Sequence, residues 1–574
     1  MPTTLSDHDG MMLHLRSPDN PVRVKKPARV YPVPPYARNL VDATIQGAID
    51  AFGDWVTEDN PSASDTAKAW DTLKADVGKG CLRCKRNSRR QRTRTYRQNR
   101  RRLLRQLNRA QRATLDPIEA ITVQLEGLSL TATEPQTLVQ RLRSRLAGLE
   151  AARASYTTQR RFREHTWHEK RSPGALFRRT STKFADNTVP KLVASEGMSE
   201  RSVHEKAEGF ADAWTPIFQR APPTESGIRE LLSSLDPPDH AEDLDTLIKP
   251  ITEDEVAAAI KACKPGKACG PDGLGNDWYH DYADALVPIL CKLYNLWYTS
   301  SVFPASFLEA DIFCLKKTGD LSNPLNYRPL ALLNSDYKIF TRILATRTSD
   351  KLAGIIHPHQ AGFVPGRQLH DTVDLLSAAR VTAETDPDQA AALALLLDYE
   401  KAYDSLARLF LFIVLEWLRF PAQYIAALAF LHKDTTIRFL VNGLRSRKVE
   451  VTSGIRQGCP LAPIVFILAL EPLYRLIDAD VRITGVKLST ASRTVMLKVA
   501  GYADDTAVYL GSVQELPVFL YLSNRFGVAS GLRVNAKKTI VIALCHIWGH
   551  KWAGPTSCGL HGEKQCFNSP SDCD

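Results

Sequence analysis

Two adjacent carboxylates, Asp504 and Asp505, lie between two apolar runs in the C-terminal part of the chain. The mostly apolar residues before them (495–500) and after them (507–510) predict a strand, a tight turn and a second strand, with the acids at the tip. Neighbouring carboxylates repel each other, so such a tip is favourable where a cation compensates the charge. An ordinary Asp-Asp turn is the alternative, because Asp is common in turns.

A third carboxylate, Asp398, ends the uninterrupted apolar run 390–397. A run that is apolar on both faces is typical of a central strand, although a short buried helix can have the same composition. An acid at the exit of such a strand can face the hairpin tip of a neighbouring strand. Three carboxylates meeting there would suit magnesium, and two ions about 4 Å apart could activate a 3′-hydroxyl and stabilise a leaving pyrophosphate.

Three blocks around these acids carry a resemblance to a known family. They are Asp398 with Lys401-Ala402-Tyr403-Asp404, the stretch from Ser453 to Pro463, and Tyr502-Ala503-Asp504-Asp505. In order and spacing they resemble successive signatures of reverse transcriptases. The Arg-Gln-Gly-Cys-Pro-Leu form of the middle block resembles the enzymes of LINE-type, or non-LTR, retrotransposons and their group II intron relatives.

The resemblance covers roughly residues 251–544 and implies an α+β fold, a right-hand polymerase with palm and fingers. It implies two Mg²⁺ ions held by Asp398, Asp504 and Asp505. It also implies that Lys538 protonates the departing pyrophosphate, with Lys537 as the rival candidate.

Further roles follow from the resemblance for residues that would hold the nucleotide. Lys316 and Arg328, on a predicted hairpin, would bind the triphosphate, although strand phase decides whether Lys316 or Lys317 points inward. Tyr403 would lie under the sugar and favour deoxynucleotides; a plain core aromatic is the alternative. Gln457 would lie near the nucleotide and the template base.

Positive charge is concentrated in one segment. The chain of 574 residues has a formal charge of +11, and between Arg83 and Arg112 it contains thirteen Arg, one Lys and no acid. Without these fourteen cations the remainder would carry −3. Leucines at helical spacing accompany them, so we expect a basic helix that binds RNA or DNA backbone. A solvated helix face, or a segment that orders only on its partner, is the alternative. The predicted contacts are Arg89, Arg90, Arg100, Arg101, Arg102 and Arg105.

No apolar run approaches the ~18 residues of a membrane span, so no membrane partner is expected. The eleven cysteines are scattered and no signal peptide is visible, which indicates reduced thiols and an intracellular protein. The family resemblance adds a nuclear location.

Composition and motifs predict the following domain order. Residues 1–20 resemble the C-terminus of an apurinic-type endonuclease, with Asp7 and His8 as an inactive remnant. The other predicted segments are a linker and helix (21–80), a basic helical nucleic-acid-binding region (81–165), a pre-fingers region and linker (166–245), the reverse transcriptase fingers and palm (246–544), and an irregular tail in place of a thumb (545–574). The chain is therefore expected to be truncated at both ends.

Local patterns predict several further elements. Thr252 and Glu255 form a capping-box pattern that should open a helix. Residues 278–298 are expected to be helical, and so are 337–347 and 460–473, the last of these buried.

Two hypotheses follow. The first is an RNA-directed DNA polymerase that uses an RNA template, a DNA primer or target and dNTPs. The second is an inactive retroelement fragment that binds nucleic acid through its basic segment. An RNA-templated RNA polymerase is disfavoured by Tyr403 and by the block around Gln457.

Overall fold

The computed structural model of the chain describes residues 29–113, 138–161, 189, 192, 203–236, 242–317, 319–489 and 494–545. The predicted endonuclease remnant, the region just before the fingers and the tail beyond residue 545 lie largely or wholly outside these ranges. Internal contacts divide the chain into two units. The first contains Met1–Pro32, Ala48–Asp76 and Thr188–Asp574, and the second contains Val33–Gly47 and Val77–Asn187.

Three long helices precede the rest of the fold: α1 (Arg38–Glu58), α2 (Ala63–Ala113) and α3 (Leu138–Arg161). The basic segment lies within α2, so its predicted helical conformation is confirmed. Within the second unit, α2 and α3 are joined by an ion pair from Arg100 Nε to Glu150 Oε1 at 2.9 Å. The guanidinium of Arg153 also lies 5.2 Å from the centre of the Tyr96 ring.

The described helices of the first unit beyond these are α4 (Val203–Phe218), α5 (Glu225–Ser233), α6 (Glu253–Ala262), α7 (Asn276–Asp281), α8 (Ala283–Ser300), α9 (Ser335–Ser349), α10 (Leu352–Ile355), α11 (Leu369–Thr385), α12 (Ala402–Ser405), α13 (Arg408–Trp417), α14 (Ala422–His432), α15 (Ala462–Ala479) and α16 (Leu516–Ser530). None of the helices described is both long and apolar enough to cross a bilayer.

Helix α6 begins as predicted, because Thr252 and Glu255 form a reciprocal capping box. Glu255 N donates to Thr252 Oγ1 at 3.3 Å, and Thr252 N donates to Glu255 Oε2 at 2.9 Å. The helical conformation predicted over 278–298 is confirmed, in two helices, α7 and α8, that are separated at Tyr282. The Tyr282 ring packs against Tyr31, at 6.1 Å between ring centres, a contact that local periodicity does not reveal.

The strands form two larger sheets and one hairpin. They are β1 (Glu309–Lys316), β2 (Tyr327–Leu332), β3 (Leu393–Leu397), β4 (Thr435–Val441), β5 (Leu444–Arg445), β6 (Val449–Val451), β7 (Val486–Ser489), β8 (Thr494–Leu497), β9 (Val499–Tyr502), β10 (Asp505–Leu510) and β11 (Ile540–Ala543). One sheet has the order β2-β1-β4-β5 with β6 also on β4, the second has the order β11-β3-β10-β9, and β7 pairs with β8. The chain is therefore a mixed α+β protein, as predicted.

Strand β3 lies between β11 and β10 in the second sheet, and its neighbours run antiparallel to it. The apolar run therefore forms an internal strand, as predicted, although the strand itself is shorter and begins at Leu393. Strands β9 and β10 form the predicted hairpin, with Asp505 opposite Tyr502. The internal position of β3 brings the residue after it to the tip of this hairpin.

Candidate active site

The register of β3 and β10 brings the three predicted carboxylates to the same end of one sheet. Thr506 pairs with Leu397 across the antiparallel ladder. Asp505 precedes Thr506 and Asp398 follows Leu397, so these two acids lie opposite each other where the ladder ends. Asp504 occupies the hairpin turn beside them and is exposed. The sequence separation of about a hundred residues between Asp398 and the pair is thus closed by strand pairing.

The pKa of Asp505 reflects partial burial and the negative charge of the other two carboxylates. Partial burial raises the pKa of Asp505, and the carboxylates of Asp504 and Asp398 raise it further. A bound cation would relieve this repulsion. Within the described ranges, no three Asp, Glu, His or Cys side chains already stand as a metal cage. Magnesium commonly takes one or two carboxylates and completes its shell with water and substrate phosphates, so an open group of acids fits this ion.

Asp398 also has partners of its own on the segment after α16. Asn535 Nδ2 donates to Asp398 Oδ2 at 3.0 Å, and the Asn535 backbone N–H donates to the Asp398 carbonyl. Lys538 Nζ lies 3.6 Å from Asp398 Oδ2, whereas no such contact to an acid is seen for Lys537 in this part of the structure. The geometry therefore favours Lys538 of the two rivals. Asn535 had no predicted role, because its contact spans 137 residues.

The hairpin of β1 and β2 carries the basic residues predicted to bind phosphate. Leu315 pairs with Arg328 and Lys316 pairs with Tyr327. Lys317 follows the strand, and its pKa is lowered by burial and then by the positive charges of Arg328 and Lys538. Asp404 and Asp398 act on it in the opposite direction. Lys317, the alternative to Lys316 that strand phase left open, therefore lies within electrostatic range of Asp404 and Asp398.

The ring of Tyr403 stacks on Phe466 from α15, with 4.7 Å between ring centres and 16° between planes. Burial raises the pKa of its hydroxyl, and the charge of Asp504 raises it further. The tyrosine ring is therefore packed against α15, and its hydroxyl lies within electrostatic range of Asp504. It is only half-buried, so it combines features of a site residue and of a core aromatic.

Gln457 contacts a buried acid next to Tyr403. Its Nε2 donates to Asp404 Oδ2 at 3.0 Å. Burial raises the pKa of Asp404 to about 7, while Lys401, Lys317 and the bond from Gln457 act to lower it. The Gln457 loop is tightly seated, because Gly454 has φ of +77° and a Cβ there would lie 2.6 Å from the Asp404 carbonyl oxygen. Gln457 is thus fixed between α12 and the hairpin of β1 and β2.

Comparison with known families identifies the segment that contains these groups. The profile of the family described as reverse transcriptase (RNA-dependent DNA polymerase) matches residues 315–558. The chain carries a reverse transcriptase domain. Asp398, Asp504, Asp505 and Lys538 lie within the matched segment.

The chain is similar to proteins of transposable elements. The "Transposon TX1 uncharacterized 149 kDa protein" of Xenopus laevis is 32% identical over 295 residues, which cover 50% of this chain and 22% of that protein. The "RNA-directed DNA polymerase from mobile element jockey" of Drosophila melanogaster is 27% identical over 377 residues, 63% of this chain and 39% of the relative. The "Retrovirus-related Pol polyprotein from type-1 retrotransposable element R2" of Nasonia vitripennis is 22% identical over 383 residues, 65% and 34% respectively. The chain spans between a fifth and two fifths of the length of these relatives.

The second unit, which precedes the reverse transcriptase domain in sequence, contains the predicted nucleic-acid contacts. Side chains from one face of α2 line a groove of about 630 Å³, which we call the arginine groove. Its lining consists of Arg86, Arg89, Arg90, Thr93, Arg94, Arg97, Gln98 and Arg101. Of the predicted contacts, Arg89, Arg90 and Arg101 lie in this groove. Arg100 is paired with Glu150, and Arg102 and Arg105 are exposed outside the lining.

Proposed function

We propose that this chain is the RNA-directed DNA polymerase of a non-LTR retrotransposon, extending a DNA primer on an RNA template by nucleotidyl transfer from dNTPs. The observation that carries the proposal is the meeting of Asp398 with Asp504 and Asp505 at the end of the β3–β10 ladder, inside the segment that matches the reverse transcriptase family. In this proposal the β11-β3-β10-β9 sheet is the palm. The sheet that contains β1 and β2, with helices α6 to α9, belongs to the fingers.

Asp398, Asp504 and Asp505 would hold two Mg²⁺ ions, a donor set of carboxylate oxygens that suits this hard cation. When bound, the ions would lower the pKa of the primer 3′-hydroxyl and neutralise charge on the phosphates. The raised pKa of Asp505, caused by partial burial and then by the charges of Asp504 and Asp398, supports this role, because a bound cation would favour the ionised form.

The chain's own cations would act on the other end of the nucleotide. Lys317 and Arg328 would hold the triphosphate, with Lys316 as the alternative suggested by the sequence. A guanidinium offers planar paired donors and an ammonium offers a compact charge, both of which suit phosphate oxygens. Lys538 would donate a proton from Nζ to the departing pyrophosphate oxygen, so that the leaving group departs with less charge.

Tyr403 and Gln457 would select and orient the nucleotide. Because the Tyr403 ring is fixed by stacking on Phe466, it would form a rigid floor under the sugar and exclude a ribose 2′-hydroxyl. Gln457, held by its bond to Asp404, would contact the nucleotide beside the template base. Exclusion by a fixed ring predicts that deoxynucleotides are preferred.

The test is extension of a DNA primer on an RNA template with Mg²⁺. The unmodified chain should incorporate dNTPs, and Asp504→Ala should abolish incorporation. Asp388→Asn is the matched control, because Asp388 is an exposed acid outside the site and should leave activity unchanged. Absence of incorporation by the unmodified chain would leave nucleic-acid binding without catalysis, and equal incorporation by Asp504→Ala would show that the metal ligands are wrongly assigned.

The arginine groove would bind the phosphate backbone of RNA or DNA. A nuclear location, where the target would be chromosomal DNA, is part of the same proposal. Residues 86–101 span about 22 Å of helix at 1.5 Å per residue, and all the charged side chains of the groove lining are arginines. The helix therefore presents several cations to one strand of phosphates. Such binding is independent of sequence and weakens steeply with salt.

Replacing Arg94, Arg97 and Arg101 with Gln should reduce the magnitude of the slope of log affinity against log salt for a single-stranded RNA by roughly 2, about 0.7 for each lost phosphate contact. The comparison variant carries the same change at Arg102, Arg105 and Arg109, which are exposed and outside the groove lining, although the sequence predicted contacts for Arg102 and Arg105. The slope is measured by fluorescence anisotropy across a salt series. Equal slopes for the two triple variants would show diffuse attraction rather than a groove.

A further inference from the structure

A buried glutamine, Gln360, forms hydrogen bonds with the backbone of the turn that carries the proposed catalytic aspartates. Its Oε1 accepts from Ala503 N at 2.9 Å, and its Nε2 donates to Ala503 O at 3.1 Å. The same Oε1 accepts from Gly362 N at 2.9 Å, and Nε2 donates to the Tyr474 hydroxyl at 3.1 Å. Both lone pairs and both protons of the amide are thereby used. The opposite orientation of the amide would set donor against donor, so the pattern fits one placement only.

The backbone of Ala503 has an unfavourable conformation. Ala503 has φ of +61°, in the left-handed region that side chains other than Gly adopt at a cost. It directly precedes Asp504, so its conformation sets the direction in which that carboxylate leaves the hairpin. A residue in such a conformation persists where its surroundings over-determine it. Gln360 supplies that constraint, because it bonds both polar groups of the Ala503 backbone.

Backbone hydrogen bonds on both sides of Gln360 also hold its loop against β9. Gly501 N donates to His359 O at 2.9 Å, and Ala361 N donates to Gly501 O at 2.8 Å. This short loop therefore forms an isolated parallel β-bridge to β9, between Gln360 and Gly501. Gly362 fits because it lacks a side chain, since a Cβ there would lie 2.1 Å from Ala503 N.

The Tyr474 hydroxyl links the same amide to the other strand of the hairpin. It lies 3.2 Å from Thr506 Oγ1, and Thr506 is the β10 residue next to Asp505. Gln360 therefore contacts the turn directly and β10 through Tyr474. Both residues are almost fully buried, so water does not compete for these bonds.

We propose that Gln360 is a positioning residue, which fixes the Ala503 turn so that Asp504 and Asp505 face Asp398. The catalytic consequence rests on the proposed polymerase function, whereas the rigidity of the turn does not. A merely space-filling glutamine would affect the stability of the whole unit without a particular effect on the hairpin. The two roles are separated by a local measurement on the turn.

The chain contains a matched control for this amide. Gln389 also bonds both backbone groups of a distant residue, with Nε2 to Lys487 O at 3.2 Å and Lys487 N to Oε1 at 2.6 Å. It holds β7, which is not paired with the sheet that carries the acids. The comparison of Gln360→Met with Gln389→Met therefore removes the same chemistry from two places.

The first measurement is hydrogen exchange of peptides that contain residues 499–506, on the full chain. In Gln360→Met this segment should exchange about 10-fold faster, since the Ala503 N–H loses its acceptor. Gln389→Met should leave it unchanged. Gln360→Glu, which retains acceptor oxygens but loses both donors, should give an intermediate rate and serves as the deciding variant if Gln360→Met does not fold.

The second measurement is primer extension. Gln360→Met should displace the carboxylates of Asp504 and Asp505. This should lower kcat by about 100-fold, as expected for a shift of about 1 Å in a catalytic group. The KM for dNTP should stay within about 3-fold, because the nucleotide contacts are retained. An unchanged exchange rate in the hairpin, or an equal effect of Gln389→Met on it, would overturn the proposal. An unmodified chain without polymerase activity would overturn the proposed function instead, and the exchange data would still decide whether Gln360 holds the turn.

Discussion

Two groups of three aspartates occur in the first unit, and they differ in where the compensating charge comes from. Asp71, Asp272 and Asp336 surround Lys74, whose Nζ lies 3.3, 3.8 and 2.7 Å from their respective oxygens. This group, which we call the lysine cluster, is largely closed to solvent, since Lys74 is 2% exposed and Asp336 is 0% exposed. The chain supplies its own cation there.

In the candidate active site the acids at the hairpin tip remain exposed, and the nearest cation is the exposed Lys538 at 3.6 Å from Asp398. Burial by itself would lower the pKa of Lys74, but the charges of Asp336, Asp272 and Asp71 outweigh it and raise that pKa. A buried ion pair of this kind holds structure together, whereas acids left open to solvent can accept a cation from outside. Openness to solvent and the lack of a buried cation, rather than the number of acids, therefore distinguish the candidate site from the lysine cluster.

The largest expected difference between the two groups is in catalysis. Asp398→Asn should lower the rate of primer extension by roughly 10³-fold, because several kcal/mol of charge stabilisation would be lost. The same change should not lower the melting temperature, because it removes a like charge from the group around Asp505. Single-turnover kinetics and thermal unfolding on one preparation test both statements. A large loss of stability would place Asp398 among structural acids and remove the contrast.

The opposite result is expected for the lysine cluster. Lys74→Met should lower the free energy of unfolding by about 3–5 kcal/mol, since it leaves buried carboxylates without a cation. Lys538→Met is the comparison, because its exposed ammonium should contribute no more than about 0.5 kcal/mol. Denaturant unfolding measures both. Similar losses for the two lysines would show that the candidate site is also held together by its internal ion pair.

The parts of the fold that were predictable from the sequence are those whose signal is local. The apolar run before Asp398, the hairpin around Asp504 and the capping box at Thr252 each depend on neighbouring residues, and each is found. The phase of the β1–β2 hairpin depends on where pairing ends, so the sequence alone did not choose between Lys316 and Lys317, the second of which lies within electrostatic range of Asp404 and Asp398.

Contacts between distant segments left no such local signal. Gln360 lies 143 residues from Ala503 and Asn535 lies 137 residues from Asp398. The lysine cluster likewise draws Lys74 to Asp336 across 262 residues. Asn and Gln are ordinary loop residues in sequence, and their roles exist only once the sheet has formed. Gln360 and Asn535 lie in sequence segments that the family resemblance includes, but this position in the sequence does not predict which residue each side chain contacts.

The lysine cluster should also give a pH dependence of stability. Burial raises the pKa of Asp272 to about 7, an effect that Lys74 opposes and Asp336 adds to. The unfolded chain releases this proton near pH 4, so between about pH 4 and pH 7 the folded state binds more protons and stability falls as pH rises. Asp272→Asn removes this titration and should reduce the loss of unfolding free energy between pH 5 and pH 8 by about 3 kcal/mol. Asp388→Asn should retain the full loss in parallel denaturant titrations.

The smallest expected effect is the stabilisation by added Mg²⁺, which should depend on the candidate active site and not on the lysine cluster. A ligand that binds only the folded state stabilises it by RT ln(1 + [L]/Kd), so Mg²⁺ at ten times its Kd should add about 1.4 kcal/mol. Asp505→Asn should lose this gain, while Asp272→Asn should keep it, because Asp272 already has Lys74 as its cation. The melting temperature is measured with and without Mg²⁺ at constant ionic strength, so that general screening is equal in all samples. A gain retained in Asp505→Asn but lost in Asp272→Asn would mean that the closed cluster binds the ion, and the contrast between the two groups of aspartates would be reversed.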